Sequence, residues 1–371
     1  MARQLAAGLV VGVMGVSIAL SLATLVFRGD FADDLDHGIA WALVGLLTLG
    51  LVAALGSSIR GMAAGPQDVP SVVLAGVAVE LGRVGATLPT LAAVVIVAST
   101  VTGITMVAVG RQRLGGLVRF VPYSVMAAFL GGTGVVLIMA GWSALSGGWP
   151  MAGFGLRLVP GLVLAVALVW AARGGAPAAT GAVLIGMGLV GYHLAAAVAG
   201  IDPADAVARG LVLGPFPSGS MFDPGVLGQL GQADWGAVLD QAPAIIVLGI
   251  LTLLGMLLNL GGLEHELDRD VDIDRELEAN GAGVLLAAPL GGLPGFVLLG
   301  NTLMARRLGG ASRVPPVIAA GLALVVLAVG ADVLTLVPVL ITGGVLVTIG
   351  LDFVITWLWE VRHRVGIVEH G

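Results

Sequence analysis

The chain has 371 residues, of which 58% are hydrophobic and only 11% charged, and its mean hydropathy of +1.05 excludes a soluble globular protein. A net charge of −6 argues against a nucleic-acid partner, because binding to a phosphate backbone requires a basic patch. The absence of cysteine excludes disulfides, a thiolate nucleophile and any cysteine-based metal site.

Twelve apolar segments follow one another along the chain, and most have about the 20 residues that cross the hydrocarbon core of a bilayer. They are predicted at residues 5–27, 36–56, 69–82, 86–109, 117–146, 155–173, 177–200, 237–262, 280–291, 297–308, 315–331 and 333–359. The first segment has no Ala-x-Ala cleavage signal, so it is interpreted as a helix of the protein and not as a signal peptide. Twelve crossings place both termini on the same side of the membrane.

The distribution of arginine predicts which side that is. All 17 basic residues are Arg, and with the N-terminus inside, 13 of them fall on inner loops and ends. Only Arg28, Arg83, Arg157 and Arg209 fall outside. The positive-inside rule therefore predicts a multi-pass membrane protein with both termini cytoplasmic.

Two segments, 69–82 and 297–308, are too short to cross as ordinary helices. Each follows a stretch rich in Gly and Pro, "AGPQDVP" (64–70) and "GGLPGFVLLGNT" (291–302). Paired interruptions of this kind indicate half-helices that begin inside the membrane, where unpaired N–H groups and the helix dipole attract an anion. The alternative is that Gly and Pro only let packed helices approach closely.

Two longer stretches carry a resemblance to a known family. "GGLVRFVPYSVMAAFLGGTGVVLIMAG" (115–141) contains Arg-Phe-x-Pro before a Gly-rich helix, and "DIDRELEANGAGVLLAAPLGGLPG" (272–295) contains Asp-x-Asp-Arg-Glu-Leu-x-Ala-x-Gly before Gly-Gly-x-Pro. Both resemble the SulP sulfate-permease anion transporters, the solute carrier 26 relatives. The resemblance implies an all-α polytopic membrane fold built as an inverted repeat, in which two half-helices meet at the membrane midplane.

The resemblance also implies two domains, a core that holds the substrate and a gate beside it. Residues 1–110 and 237–331 would form the core, and residues 111–236 and 332–371 the gate. The family's last two gate helices and its cytoplasmic STAS domain have no counterpart in these residues, so we expect the gate to be truncated.

The function implied by the resemblance is secondary transport of a small inorganic anion such as sulfate, bicarbonate or chloride. Transport would proceed by an elevator-type shift of the core against the gate, without an enzymatic reaction or a cofactor. The resemblance implies a location in the cell inner membrane; the expected partners are the anion and the lipid bilayer, and a homodimer is compatible with the resemblance. Two alternatives stay open: a nucleobase transporter of the same architecture, and a non-transporting membrane scaffold or fragment.

The resemblance places the substrate at the two half-helix starts. The predicted substrate-binding residues are Gln67, Asp68, Leu299, Gly300, Asn301 and Thr302. Asn301 stands where the family has a basic residue, which leaves backbone N–H groups and the Thr302 hydroxyl as donors. Asp68 would repel an anion, so it must point away, carry a proton or serve a coupling cation.

The eighth segment carries the two candidate coupling-ion residues, Asn259 and Glu264, and an uncoupled, exchange or proton-linked mechanism stays open. Asn259 stands where sodium-coupled bicarbonate transporters of the family carry an acidic residue, so transport is expected not to require sodium. Glu264, five positions further on, is either an interfacial anchor or a proton carrier. No metal site is predicted, because the acidic run near residue 270 lacks the Gly and Glu of an EF-hand and "HELDRD" lacks the second His of a zinc protease.

The dense charged run "DIDRELEANG" (272–281) is interpreted as structural. On a cytosolic connection its charges are solvated, and Asp272 and Asp274 are expected to cap the helix that follows. Arg275 is expected to pair with Glu276 or Glu278.

Overall fold

The computed structural model describes residues 2–116, 123–146, 154–177, 180–212, 224–307, 312–330 and 336–360. The long helices are α1 (Ala2–Val26), α2 (Leu35–Gly56), α3 (Asp68–Arg83), α4 (Leu88–Arg111), α5 (Tyr123–Ser146), α6 (Phe154–Arg173), α7 (Thr180–Val198), α11 (Ala242–Leu267), α12 (Ile273–Ala287), α13 (Leu299–Arg307), α14 (Val314–Val329) and α15 (Val339–Val354). The short helices are α8 (Pro203–Ala208), α9 (Gly225–Gly228) and α10 (Trp235–Asp240). Two strands, β1 (Ala64–Pro66) and β2 (Gly295–Val297), complete the elements used below.

The all-α polytopic membrane fold is confirmed. Within the described ranges, five helices are long and apolar enough to cross a membrane, at Ala7–Val26, Gly29–Gly56, Leu88–Arg111, Ala242–Glu264 and Val339–Glu360. The predicted segment starts at residues 117 and 333, and the Arg-Phe-x-Pro stretch at 119–122, lie outside the described residues.

Two predicted boundaries were wrong, and capping explains both. The ninth segment was predicted to begin at residue 280, but α12 begins at Ile273 because the Asp272 carboxylate accepts a bond from the Arg275 N–H at 3.1 Å. The eighth segment was predicted as one helix from residue 237. Asp234 instead caps the short helix α10, and the long helix begins only at Ala242.

The chain divides into two compact units, Met1–Val118 with Pro217–Asp332, and Arg119–Phe216 with Val333–Gly371. The described residues 224–236 pack on α4 in the first unit, although the predicted gate included them. The roles of core and gate for these units stay predictions.

In the first unit, α12 packs along α2 and α4, and α1 packs against α2 and α14. Strands β1 and β2 pair antiparallel, with Ala64 opposite Val297 and Pro66 opposite Gly295. This pairing joins the first half of the chain to the second. It also requires glycine at residue 295, since an added Cβ there would lie 2.6 Å from Pro66 Cα and still closer to the Gly65 carbonyl oxygen.

In the second unit, α5 and α15 approach closely through glycine. A Cβ added to Gly141 would lie 2.7 Å from the Gly343 carbonyl oxygen, and one added to Gly350 would lie 2.6 Å from that of Gly134. Small residues let helix backbones touch, which is how helices associate in a bilayer that supplies no hydrophobic driving force between them.

Candidate functional site

The strand pair positions the starts of the two half-helices. Helix α3 begins at Asp68, directly beyond β1 and Gln67, and α13 begins at Leu299, directly beyond β2 and Leu298. The pairing extends past the strands, because the Leu298 N–H donates to the Ala63 carbonyl at 2.8 Å. Because the strands are antiparallel, the two helices leave the pair at opposite ends, and the first N–H groups of each have no acceptor within their own helix.

Gln67 ties the two starts together. Its Nε2 donates to the Val297 carbonyl of β2 at 2.8 Å, and its own carbonyl accepts from the Ser71 hydroxyl at 2.6 Å. This side-chain amide was predicted to donate to an anion. One of its two N–H groups is already bonded to β2.

Asp68 is the carboxylate at the start of α3, and only 6% of its surface is exposed. Its Oδ1 accepts from the Val69 N–H at 2.9 Å. Among the described residues no Arg or His forms an ion pair with it. The helix dipole offsets part of the cost of burying this charge, but a buried carboxylate without a cation is otherwise expensive.

The start of α13 is open at Gly300. This residue is exposed, and a Cβ added to it would meet no atom within 4 Å. The side chain of Leu299 packs instead on the apolar cluster that contains Phe296 and Met256. The first turn of α13 therefore offers accessible backbone on the face of Gly300, and no acidic residue lies in that turn.

Asn301 and Thr302 face the interior of the unit. Asn301 is 3% exposed, and its Nδ2 has no hydrogen-bond partner among the described residues. It lines a cavity of about 10 Å³ bounded by α1, α2 and α14, which has room for roughly one water molecule. The Thr302 hydroxyl accepts from the Ala63 N–H at 3.0 Å, so this predicted anion donor holds the segment before β1.

The two coupling-ion candidates make local bonds. Asn259 donates from Nδ2 to the Gly255 carbonyl of its own helix at 2.9 Å. Glu264 accepts from the Val271 N–H at 2.9 Å and so closes the connection between α11 and α12. Within the described part of the chain, no cluster of three or more His, Asp or Glu side chains could hold a metal ion.

The charged run at the start of α12 serves as an anchor for distant backbone. Asp274 accepts from the Gly115 N–H at 3.0 Å. The predicted ion pair of Arg275 was wrong: its Nε donates to the Gly56 carbonyl at 3.0 Å, and it forms no ion pair with Glu276 or Glu278 in the described structure.

Sequence reasoning missed that one charged residue of this run is fully buried. Glu276 is 0% exposed, and its Oε1 lies 2.9 Å from the Ser57 Oγ, 2.6 Å from the Ser58 N and 2.7 Å from the Ser58 Oγ. The signal was present in the spacing, because residues 276, 280, 283, 284 and 287 recur at helical intervals and all lie on the buried face of α12.

Two half-helices that start from one antiparallel strand pair, within a bundle of apolar helices, define a class of membrane transport fold. The transmembrane domain of a cyanobacterial bicarbonate transporter BicA has this fold, with a TM-score of 0.68 at 19% identity over 99% of this chain and 91% of that chain. The structure of SLC26A9 matches with a TM-score of 0.70 at 15% identity, over 97% of this chain and 59% of that chain. A sequence model of the Sulfate permease family matches residues 1–151 and 149–365, and the chain belongs to this family.

Curated relatives are similar over most of this chain. The vacuolar basic amino acid transporter VSB1 of Saccharomyces cerevisiae is 22% identical over 291 residues, which cover 74% of this chain and 28% of the relative. The bicarbonate transporter BicA of a Synechocystis species is 24% identical over 380 residues, which cover 98% of this chain and 64% of the relative. The chain thus spans less than two thirds of the length of these relatives. The family consists of transporters and not of enzymes.

Proposed function

We propose that the chain forms the membrane part of a secondary transporter that binds a small inorganic anion, such as sulfate, bicarbonate or chloride, at the half-helix starts. The observation that carries this proposal is the open first turn of α13 at Gly300. Each helix N-terminus is equivalent to about half a positive charge, which offsets part of the desolvation cost of an anion without a buried Arg. The relation to BicA, whose name is that of a bicarbonate transporter, supports the same substrate class.

Transport moves the first unit against the second in this proposal, as an elevator. Sodium is not required in this proposal, because Asn259 supplies no carboxylate at its place on α11 and Glu264 is bonded to the Val271 N–H of the connection to α12. A homodimer and a location in the inner membrane belong to the same proposal and stay predictions.

Purified protein in liposomes provides the test. Uptake of labelled sulfate, bicarbonate, chloride and uracil is measured with and without a sodium gradient. Saturable uptake of one anion, unchanged by sodium, supports the proposal. Uptake of uracil alone would favour the nucleobase transporter, and no uptake of any of the four would favour the scaffold.

A second candidate function is transport of a substrate that carries an amine as well as a carboxylate. Asp68 favours it, because this buried carboxylate has no cationic partner among the described residues and would pair with an ammonium or guanidinium group. The substrate's own carboxylate would bind at the open start of α13. The relation to VSB1, named as a basic amino acid transporter, supports this candidate.

The variant Asp68→Asn separates the two functions. For an anion carrier, removal of the negative charge raises anion affinity severalfold; for an amine carrier, it abolishes competition by arginine and lysine. Glu80→Gln is the matched control, since Glu80 is an exposed carboxylate near the other end of α3, paired with Arg83. Unchanged affinity for both kinds of ligand in Asp68→Asn would contradict both roles.

The orientation is tested by labelling. The chain has no cysteine, so Asp33→Cys and Glu278→Cys, both at exposed positions, each introduce one thiol. A membrane-impermeant thiol reagent should label the first from outside and the second from inside. Labelling of both from one face would refute the orientation.

A further inference from the structure

The start of α12 holds the segment that leads into the first half-helix. Glu276 accepts from Ser58 through Oε1, and Arg275 donates to the Gly56 carbonyl. Two neighbouring residues of α12 thus bind the end of α2 and the loop that follows it. On its other side the same segment is bound by α13, where Thr302 accepts from Ala63 and Arg306 donates to the Arg60 carbonyl at 3.1 Å. Strand β1 and the start of α3 follow directly.

The second oxygen of Glu276 lacks a donor. Its Oε2 is buried and has no hydrogen-bond partner in the described structure. Asn280 lies one helical turn further and is also 0% exposed; its Nδ2 donates to the Glu276 carbonyl at 2.9 Å, which turns the amide back toward residue 276. The Asn280 Oδ1 is likewise buried without a donor. Two buried acceptors without donors on neighbouring turns of one helix face cost free energy of folding. Both would be satisfied by a single donated hydrogen.

We propose that Glu276 carries a proton on Oε2 that it donates to Asn280 Oδ1, so that the two side chains form a proton-binding site at the base of the loop to α3. One proton then satisfies both acceptors. The bonds at Oε1 agree with a neutral acid, because its carbonyl oxygen has two lone pairs for the N–H and O–H of Ser58. The hydroxyl of Ser57 lies 2.9 Å from Oε1 but has only one hydrogen, for which the Ile59 carbonyl at 3.0 Å is a second acceptor.

None of the charged groups around this pair forms an ion pair with the Glu276 carboxyl in the described structure. Arg275 is the neighbouring cation, but it is exposed and bonded to the Gly56 carbonyl. Four further charged residues on α12 and at the end of α4 line an open cleft together with Asp272 and Arg275: Arg111, Arg113, Asp274 and Glu278. From α11, the Glu264 carboxylate is bonded to the Val271 N–H, and on the loop Arg60 points its exposed side chain away from the interior.

Loss of this proton would set a carboxylate against the oxygen of Asn280 and would leave a buried negative charge without an ion-pair partner among the described residues. Alkaline pH should therefore lower the thermal stability of the protein. An effect on anion binding through the start of α3 rests on the proposed function, but the proton site itself does not.

The decisive variant is Glu276→Gln, because glutamine has the shape of the neutral acid and its amide nitrogen can donate to Asn280 Oδ1 in place of the proton. We expect the Tm of the wild-type protein to fall as pH rises, and the fall to be smaller in Glu276→Gln, which should match the wild type at acidic pH and exceed it at alkaline pH. Glu276→Ala, which loses the bonds to Ser58 and the proposed bond to Asn280, should be unstable throughout. The exposed Glu278→Gln on the same helix is the matched control and should keep the wild-type pH profile.

Infrared spectroscopy tests the protonation directly. The wild type minus Glu276→Gln difference spectrum at neutral pH should contain the carbonyl band of a protonated carboxyl group. The buried carboxyl of Asp68 is present in both proteins, so its band cancels in the difference. A carboxylate band in place of the carbonyl band, or a Glu276→Gln protein as unstable as Glu276→Ala, would overturn the proposal. Because these readouts need no anion, they stand or fall independently of the transport assay.

Discussion

The starts of α3 and α13 are built on the same plan and carry opposite chemistry. Each follows a three-residue strand of one antiparallel pair, and each leaves its first N–H groups without a helical partner. At α3 the buried Asp68 places a negative charge on the positive end of the helix, whereas at α13 the exposed Gly300 leaves that end open. Related backbones therefore do not make equivalent sites, and in the proposed function the open start of α13 contributes more to anion binding than the start of α3.

The positions of both helix starts depend on the strand pair that precedes them. Gly295→Ala should break it, because the new Cβ would lie 2.6 Å from Pro66 Cα and would force the strands apart. We expect a loss of about 3 kcal/mol or more in the free energy of unfolding, at the upper end of the usual cost of overpacking. Ligand binding at both starts should disappear with it, as measured by thermal unfolding and by binding in detergent.

Gly76→Ala is the control for this variant. Gly76 lies on α3 and is exposed, with no atom within 4 Å of an added Cβ. Alanine there should be neutral or should stabilise the helix by roughly 0.5–1 kcal/mol. An equal loss of stability in both variants would show that the strand pair is not what Gly295 protects.

The open end of α13 is tested by Gly300→Leu. Because a Cβ at this position meets nothing within 4 Å, the variant should fold with the wild-type Tm. Its side chain would cover the free N–H groups, so anion binding should be lost. Gly300→Ala should weaken binding to a smaller extent. A normally folded Gly300→Leu protein that binds its anion at wild-type strength would place the site elsewhere.

The smallest effect on anion affinity is expected at Thr302, whose hydroxyl accepts a hydrogen bond from the Ala63 N–H at 3.0 Å. Thr302→Val leaves that buried donor unsatisfied and should cost about 1–3 kcal/mol of stability, with little change in anion affinity. Thr302→Ser, which keeps the hydroxyl, should restore most of the loss in a denaturant titration. A fall in affinity without a fall in stability would instead make the hydroxyl a direct ligand.

The half-helices illustrate how far local sequence reaches. Gly and Pro before two short apolar segments predicted both half-helix starts, because these residues act on the backbone where they stand. The strands between them were not predicted, because three residues are too few to show a period of two. Their pairing also joins residues more than 200 positions apart, such as Ala64 and Val297.

The sequence by itself determined the membrane class, the all-α fold, the family and the cap at Asp272, because each of these depends on composition or on neighbours within a few residues. Only the tertiary structure decided that Asn301 and Thr302 face inward while Gly300 is open, and that Glu276 binds Ser58 from 218 positions away. Successive residues of a helix point about 100° apart, so the face that each one presents is fixed by the elements packed around it and not by its place in a motif.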